Sequence, residues 1–312
     1  MDLLILQEKL KEGLGIIERI YSKSLSMPIL NTTLVRAKKN FINLAATDLE
    51  MGINWWSLAK IEKEGEIAIP ISLLSGLFSL LPKKQINLQI KDGFLIIKCD
   101  DFKTQIKGIS PDDFPIIPQV PKENYMELDA VSFCQGLNQI ADIAVISQAR
   151  PEISGIYFSF SEDSFKIVAT DSFRLGEKTL FLGGKANSSK ISDKEVSFIL
   201  PQKTAREIIN IFSEKQEKIK IYFSPNQVMF ENQMAETSHP QVQLVSRLIE
   251  GEYPAYQEII PKKYETQIIL NRSEFLNQIK TIHIPRQNDP EVQLVTLHEI
   301  FLLFPLPNYH HF

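Results

Sequence analysis

Ala46-Thr47-Asp48-Leu49-Glu50 and Ala169-Thr170-Asp171-Ser172-Phe173 decide the fold, because the second stretch restates the first 123 residues later. The same offset relates Met27-Pro28-Ile29-Leu30 to Arg150-Pro151-Glu152-Ile153, so Pro28 and Pro151 each precede their Ala-Thr-Asp by 18 positions. Carried backwards without a gap, it sets Leu10, Gly13, Leu14, Ile17 and Ile20 on Phe133, Gly136, Leu137, Ile140 and Ile143. Spacings of three and four make both segments amphipathic helices. Forwards, Glu66–Pro70 matches Ser197–Pro201, each a strand ending in a proline suited to a helix's first turn. Second helices follow over Ile71–Leu81 and Gln202–Phe212. Hairpins come next: Ile86–Ile90 and Phe94–Cys99 flank Lys91-Asp92-Gly93, and Ile219–Phe223 and Gln227–Glu231 flank Ser224-Pro225-Asn226. Each unit closes on an acidic-aromatic-proline signature, Asp113-Phe114-Pro115 and Glu252-Tyr253-Pro254.

One unit therefore reads helix, three strands, helix and further strands, an α+β pattern. A third copy begins where Asn271-Arg272-Ser273 caps a helix with Phe275, Ile279 and Ile282 in the phase of Leu10, Leu14 and Ile17. After Ile284-Pro285 the pattern predicts no strand-turn-strand series, no Ala-Thr-Asp and no second helix, and Ile300–Pro307 is apolar without periodicity. Only 58 residues follow Pro254, about half a unit. The expected domains are 1–120, 121–254 and a partial third over 255–312.

Composition bounds the function. The chain has 312 residues, 44% apolar and 23% charged, which excludes disorder. No apolar run reaches the ~18–20 residues of a membrane span, and Asp2, Glu8 and Lys9 break any signal core, so a cytoplasmic protein is expected. Cys99 and Cys134 lack ligand spacing and read as buried small hydrophobes. Net charge −4 and a pI near 5.8 disfavour a conventional basic groove reader of DNA. His239, His283, His298, His310 and His311 form no metal motif, and Gly-rich phosphate loops are absent, so no metal, cofactor or catalytic group is expected.

The motifs quoted above, together with Ser246-Arg247-Leu248-Ile249-Glu250-Gly251-Glu252-Tyr253-Pro254, resemble the bacterial beta sliding clamp family over roughly residues 1–282. The resemblance implies tandem DNA-clamp domains, two complete and a third truncated, each with two helices packed on antiparallel sheets. It implies a head-to-tail ring of two protomers that encircles duplex DNA and tethers the replicative polymerase. Encirclement needs no strong base contacts, and phosphate attraction is sequence-independent, so an acidic total is compatible with DNA. Implied partners are the polymerase alpha subunit, the clamp loader and repair polymerases, through short Gln-containing peptides ending in Leu and Phe.

Residue by residue, the resemblance assigns the peptide cleft to Ile153, Thr170, Ser172, Phe173, Arg174, Leu175, Pro254 and Ile259. Ile153 and Leu175 can equally be core, and Arg174 can orient a peptide carbonyl or simply make a surface ion pair. Ser172 stands where the family often has Gly, Phe173 and Glu258 where it has basic or polar residues, and the family's closing apolar-Pro-apolar-Arg is replaced by Asn308-Tyr309-His310-His311-Phe312. The DNA-facing set is Lys23, Ser24, Lys83, Gln148, Arg150, Lys203 and Arg206, with Lys84 beside it; each lysine alone is equally read as a solvated face. The Phe102–Lys107 strand, with Thr104 and Ile106, is the expected dimer edge.

Three rival readings follow from the residues. Thr47-Asp48 and Thr170-Asp171 could pair as a two-lobed aspartic protease, but neither is followed by the Gly such sites carry; the alternative is that each Asp satisfies backbone N–H groups of its own turn. A clamp whose reading frame was lost near Ile282 would be an interaction fragment unable to close a ring. Gln293-Leu294-Val295-Thr296-Leu297 could imitate a clamp-binding peptide and fold back on its own cleft.

Overall fold

The computed structural model describes all residues except 21–26, 146, 148, 162–163, 182–195, 215–217, 262–265, 282–291, 298–299 and 306–312, with backbone alone at 278–281, 292–297 and 300–305. The first repeat runs β1 (Asp2–Leu6), α1 (Gln7–Ile17), β2 (Thr32–Lys38), β3 (Phe41–Thr47), β4 (Met51–Leu58), β5 (Lys60–Lys63), β6 (Gly65–Pro70), α2 (Ile71–Leu80), β7 (Gln85–Lys91), β8 (Phe94–Cys99) and β9 (Phe102–Lys107). The second runs β10 (Tyr125–Asp129), α3 (Ala130–Ile140), β11 (Gly155–Phe160), β12 (Ser164–Thr170), β13 (Leu175–Phe181), β14 (Val196–Pro201), α4 (Gln202–Phe212), β15 (Lys218–Ser224), β16 (Gln227–Gln233) and β17 (Pro240–Arg247). α5 (Arg272–Thr281) and a hairpin, β18 (Val292–Leu297) with β19 (Ile300–Pro305), complete the described chain.

The helices and the expected hairpins stand where the periodicity puts them. Asp92 and Gly93 take φ of 53° and 78°, both left-handed, as a two-residue hairpin turn demands. Leu10, Leu14 and Ile17 on α1, and Phe133, Leu137 and Ile140 on α3, are buried. Asn271 caps α5 by accepting the backbone N–H of Ser273 and Glu274 at 3.0 and 3.2 Å.

Two features depart from expectation. Each unit opens on a strand rather than a helix: β1 pairs with β7, and β10 with β15, burying Leu3 and Ile5 and Met126 and Leu128. Alternation over five residues is too short a signal to separate from the amphipathic helix that follows. The tail, expected to hold no strand-turn-strand series, forms the β18–β19 hairpin; the unbroken apolar run of β19, Ile300–Pro305, hides the period of two.

The sheets are not confined to the repeats. A five-stranded sheet, β5-β1-β7-β8-β9, belongs to the first repeat, and a four-stranded one, β13-β12-β11-β14, to the second. An eight-stranded sheet, β10-β15-β16-β17-β4-β3-β2-β6, takes four strands from each, joined where β17 pairs with β4. Two compact units result, one mainly Met1–Cys134 with Arg206–Leu248, the other mainly Gln135–Leu182 with the segment from Ile249 onward.

Candidate functional site

The duplicated Thr-Asp pair builds the same turn twice. Thr170 Oγ1 donates to the Arg174 carbonyl at 2.8 Å and accepts the Ser172 N–H at 3.1 Å, while Asp171 Oδ1 accepts from Phe173 N–H at 2.9 Å and Arg174 N–H at 2.6 Å. Thr47 Oγ1 likewise donates to Met51 O and accepts from Leu49 N–H, and Asp48 Oδ1 accepts from Glu50 and Met51 N–H. Ser172 and Leu49 take φ of 75° and 74°, which is why a Gly suits this place. Burial pushes the Asp171 carboxyl upward, but the Arg174 and Phe173 backbone N–H groups and the Arg174 side chain outweigh it and hold it below its ordinary value. Arg174 Nε pairs with Asp171 Oδ2 at 2.9 Å, so the surface ion pair exists, on a guanidinium still half exposed. Each carboxylate is committed to its own turn, and the protease reading finds no support.

β13 leaves this turn with Leu175 opposite Thr170. A second segment is fixed beside it by aromatic residues. Tyr253 stacks on Tyr157 with ring centroids 4.9 Å apart, and Tyr256 meets Tyr157 edge-on. The Tyr256 hydroxyl donates to Glu177 at 2.7 Å; burial first, then this carboxylate, pushes its phenol up. The Tyr253 hydroxyl is buried beside the Thr170 backbone without completing a hydrogen bond, and burial raises its pKa also. Pro254 and Ile259 are thereby anchored to the sheet that carries Thr170–Leu175. Ile153 is 6% exposed and belongs to the core, Leu175 and Pro254 are half-buried, and Phe173 and Ile259 stand 74% and 70% exposed. Sequence reading missed Tyr157, Tyr256 and Glu177: Glu177 and Tyr256 stand just past Leu175 and Pro254, but the hydrogen bond that joins them links positions 79 residues apart, and no local pattern reports such a pairing.

Of the cations, Lys83 is exposed and pairs with Glu8 at 2.8 Å, Lys84 with Asp100, and Arg150 with Glu152 at 3.3 Å. Lys203 and Arg206 lie on the exposed side of α4. Exposed ion pairs of this kind are worth ~0–1 kcal/mol, so exchanging a carboxylate for a phosphate costs little. Lys23, Ser24 and Gln148 lie outside the described residues, as do the side chains of Gln293–Leu297. β9 ends the five-stranded sheet, with Thr104 and Ile106 half-buried. Both cysteines are buried, and burial pushes the Cys134 thiol up to about 12. No group of described residues is arranged to hold a metal, and no described helix is long and apolar enough to cross a membrane.

A groove of about 1570 Å³, unforeseen from sequence, runs between the eight-stranded sheet and the extended stretch Phe114–Lys122, past Arg36, Trp56, Ile117 and His239. Lys122, which lines it, reaches the buried Glu231 at 2.6 Å, a carboxylate that also accepts from Gln243 at 2.6 Å.

Two family models match the chain: the N-terminal domain of the DNA polymerase III beta subunit over residues 1–118 and its central domain over 127–255. A beta sliding clamp of Synechocystis is 26% identical over 300 residues, covering 91% of this chain and 75% of the relative. One of Staphylococcus aureus is 26% identical over 263 residues, covering 81% of this chain and 66%, just under two thirds, of the relative. A solved structure of the Helicobacter pylori beta clamp bound to a DNA ligase peptide superposes with a TM-score of 0.78 at 25% identity, covering 90% of this chain and 74% of that one. The repeated fold, the twin turns and these matches together mean that the chain belongs to the DNA polymerase III beta subunit family, the beta sliding clamps.

Proposed function

We propose that this chain is a DNA sliding clamp, a non-catalytic cytoplasmic processivity factor with domain boundaries near residues 120 and 254. The observation that carries the reading is the eight-stranded sheet shared by both repeats. Sheets that continue edge to edge from one repeat into the next are the means by which repeated domains can be linked into a closed ring, and β9, with Thr104 and Ile106, offers an edge for the next protomer. Lys83, Arg150, Lys203 and Arg206, with Lys23, Ser24 and Gln148, would meet phosphates inside the hole by weak, salt-dependent attraction.

The cleft at Thr170–Leu175 and Pro254–Ile259 would take the short peptides of the polymerase alpha subunit, the clamp loader and repair polymerases. The ligase peptide bound by the Helicobacter pylori clamp supports that choice of ligand. Exposed Phe173 and Ile259 supply apolar surface, and Arg174, with only Nε engaged by Asp171, keeps donors for a peptide carbonyl. Truncating Ile259 to Ala should weaken a labelled pentapeptide carrying the Gln, Leu and Phe by about tenfold, one 1.4 kcal/mol step, measured by fluorescence anisotropy; unchanged affinity would remove the cleft from this place.

Sedimentation equilibrium combined with retention on circular and on linear duplex DNA tests the whole reading. A dimer retained on circles and lost from linear ends is expected. A monomer that leaves both would favour the competing reading, a chain that binds partners without closing a ring.

A further inference from the structure

Phe114-Pro115-Ile116-Ile117-Pro118-Gln119-Val120-Pro121 sets a proline at every third position. Proline fixes φ at ~−65°, and a polyproline II ribbon has three residues per turn, so Phe114, Ile117 and Val120 share one face. That face meets the eight-stranded sheet. Phe114 clusters with Leu34, Ala45 and Ala68 of the first repeat, Val120 with Tyr222, Met229 and Val245 of the second, and Ile117 packs against both groups. Over Gly52 the seat is closed, because a Cβ there would meet Ile117 at 2.7 Å. Further along β4, Asn54 and Trp56 line the groove of about 1570 Å³ beside the ribbon, more room than the ~300–1,000 Å³ of a small-molecule site. His239 stacks on Phe41 with centroids 4.0 Å apart and meets Trp56 edge-on at 5.5 Å, all three half-buried. Gln243 stands opposite Asn54 across the β17–β4 pair. The Gln243 amide N–H goes to Glu231, and Asn54 Oδ1 accepts from Asn43 at 3.4 Å, which leaves the Gln243 carbonyl and the Asn54 N–H groups unengaged among the described residues. Lys38 and Lys39 also line the groove, exposed and in no ion pair with a described residue. The carboxylates near them are committed: Glu66 pairs with Arg36 at 2.8 Å, and Glu64 accepts the Lys39 backbone N–H at 2.8 Å.

We propose that this groove is a second peptide-docking site, whose occupant is an extended, proline-containing segment of a partner protein with an aromatic residue and an acidic flank. The chain's own ribbon, seated next to the groove, is an example of the conformation this sheet face accepts. A polyproline II backbone makes no internal hydrogen bonds, and Asn54 and Gln243 offer a donor and an acceptor for one of its peptide groups. The Phe41–His239–Trp56 floor is the kind of aromatic surface on which prolines and rings dock. Lys38 and Lys39, on a chain of net charge −4, select for carboxylates on the occupant. The groove lies wholly within the first compact unit and the Thr170–Leu175 cleft within the second, so the two sites stand or fall separately.

Fluorescence anisotropy on the full chain with a labelled hexapeptide, Asp-Asp-Phe-Pro-Leu-Pro, tests it. Saturable binding with a Kd on the order of 10–100 μM is expected. Lys38→Glu combined with Lys39→Glu should weaken it at least about tenfold, as should exchanging the two Asp of the probe for Lys. An excess of the pentapeptide carrying Gln, Leu and Phe should not displace the probe. The unlabelled hexapeptide should also shift the emission of Trp56, which lines the groove, while Trp55 is fully buried and stays silent; the shift should vanish in Trp56→Phe. No saturable binding, equal affinity for the Lys-headed probe, unchanged affinity in the double variant, displacement by the pentapeptide, or an emission shift that survives Trp56→Phe would each overturn the proposal.

Discussion

At the residue scale, the Thr-Asp turn is the most constrained element of the site. Asp171 is held below its ordinary carboxylate value by two backbone N–H groups and Arg174, so its contribution to folding is present above the unfolded pKa of ~3.9 and is lost as pH falls through the lowered native value. Although the Asp171 side chain is only 12% exposed, its partner Arg174 is half exposed and an Asn oxygen can still accept both backbone N–H groups, so Asp171→Asn should cost about 1 kcal/mol at pH 7. That cost should shrink progressively as pH falls below ~3.9, measured by urea unfolding at pH 7 and at several acidic pH values; a pH-independent cost would separate the turn from its charge. Ser172 and Leu49 carry left-handed backbone on residues with a Cβ. Replacing either with Gly should raise stability by up to ~1 kcal/mol, read as an increase in urea midpoint at constant slope.

At the element scale, the two first helices are alike in pattern but not in packing. Gly13 on α1 lies under the buried Trp55, and a Cβ there would sit 2.5 Å from the ring. Gly136, its counterpart on α3, would meet Lys178 and Leu180 at 3.4 and 3.5 Å, ordinary contact. Gly13→Ala should therefore destabilise by ~1–3 kcal/mol, whereas Gly136→Ala should be neutral or stabilise by up to ~1 kcal/mol through helix propensity. Thermal unfolding of the two variants would reveal this asymmetry, and equal effects would contradict it. Residue spacing alone made the glycines equivalent; only the neighbouring strand distinguishes them, since β4 sends a tryptophan to Gly13 where β13 brings only Lys178 and Leu180 to Gly136.

At the scale of the whole molecule, the first repeat is incomplete without the second, because β4 finds its outer partner in β17. A polypeptide of residues 1–118 would expose the β4 edge, including half-buried Asn54 and Trp56, and edges of this kind recruit other chains. It should self-associate at micromolar concentration by light scattering after size exclusion, while the full chain does not form the same species. A monomeric, cooperatively folded 1–118 would mean that the sheet junction adds little.

The sequence by itself determined the repeat, the helices, most hairpins and the place of the twin turns, because helix period, turn chemistry and the Thr-Asp pattern are local properties carried by neighbouring residues. The same locality explains what it left open. β1 and β10 are recognisable as strands only through β7 and β15, and the β19 run is apolar at every position until a partner strand assigns its faces. Tyr157, Tyr253, Tyr256 and Glu177 assemble from segments about 100 residues apart. Which edge pairs with which, and hence that one sheet spans two repeats, was decided by tertiary structure alone: every strand edge offers the same N–H and C=O groups, and the choice among edges rests on side-chain burial between strands far apart in the chain.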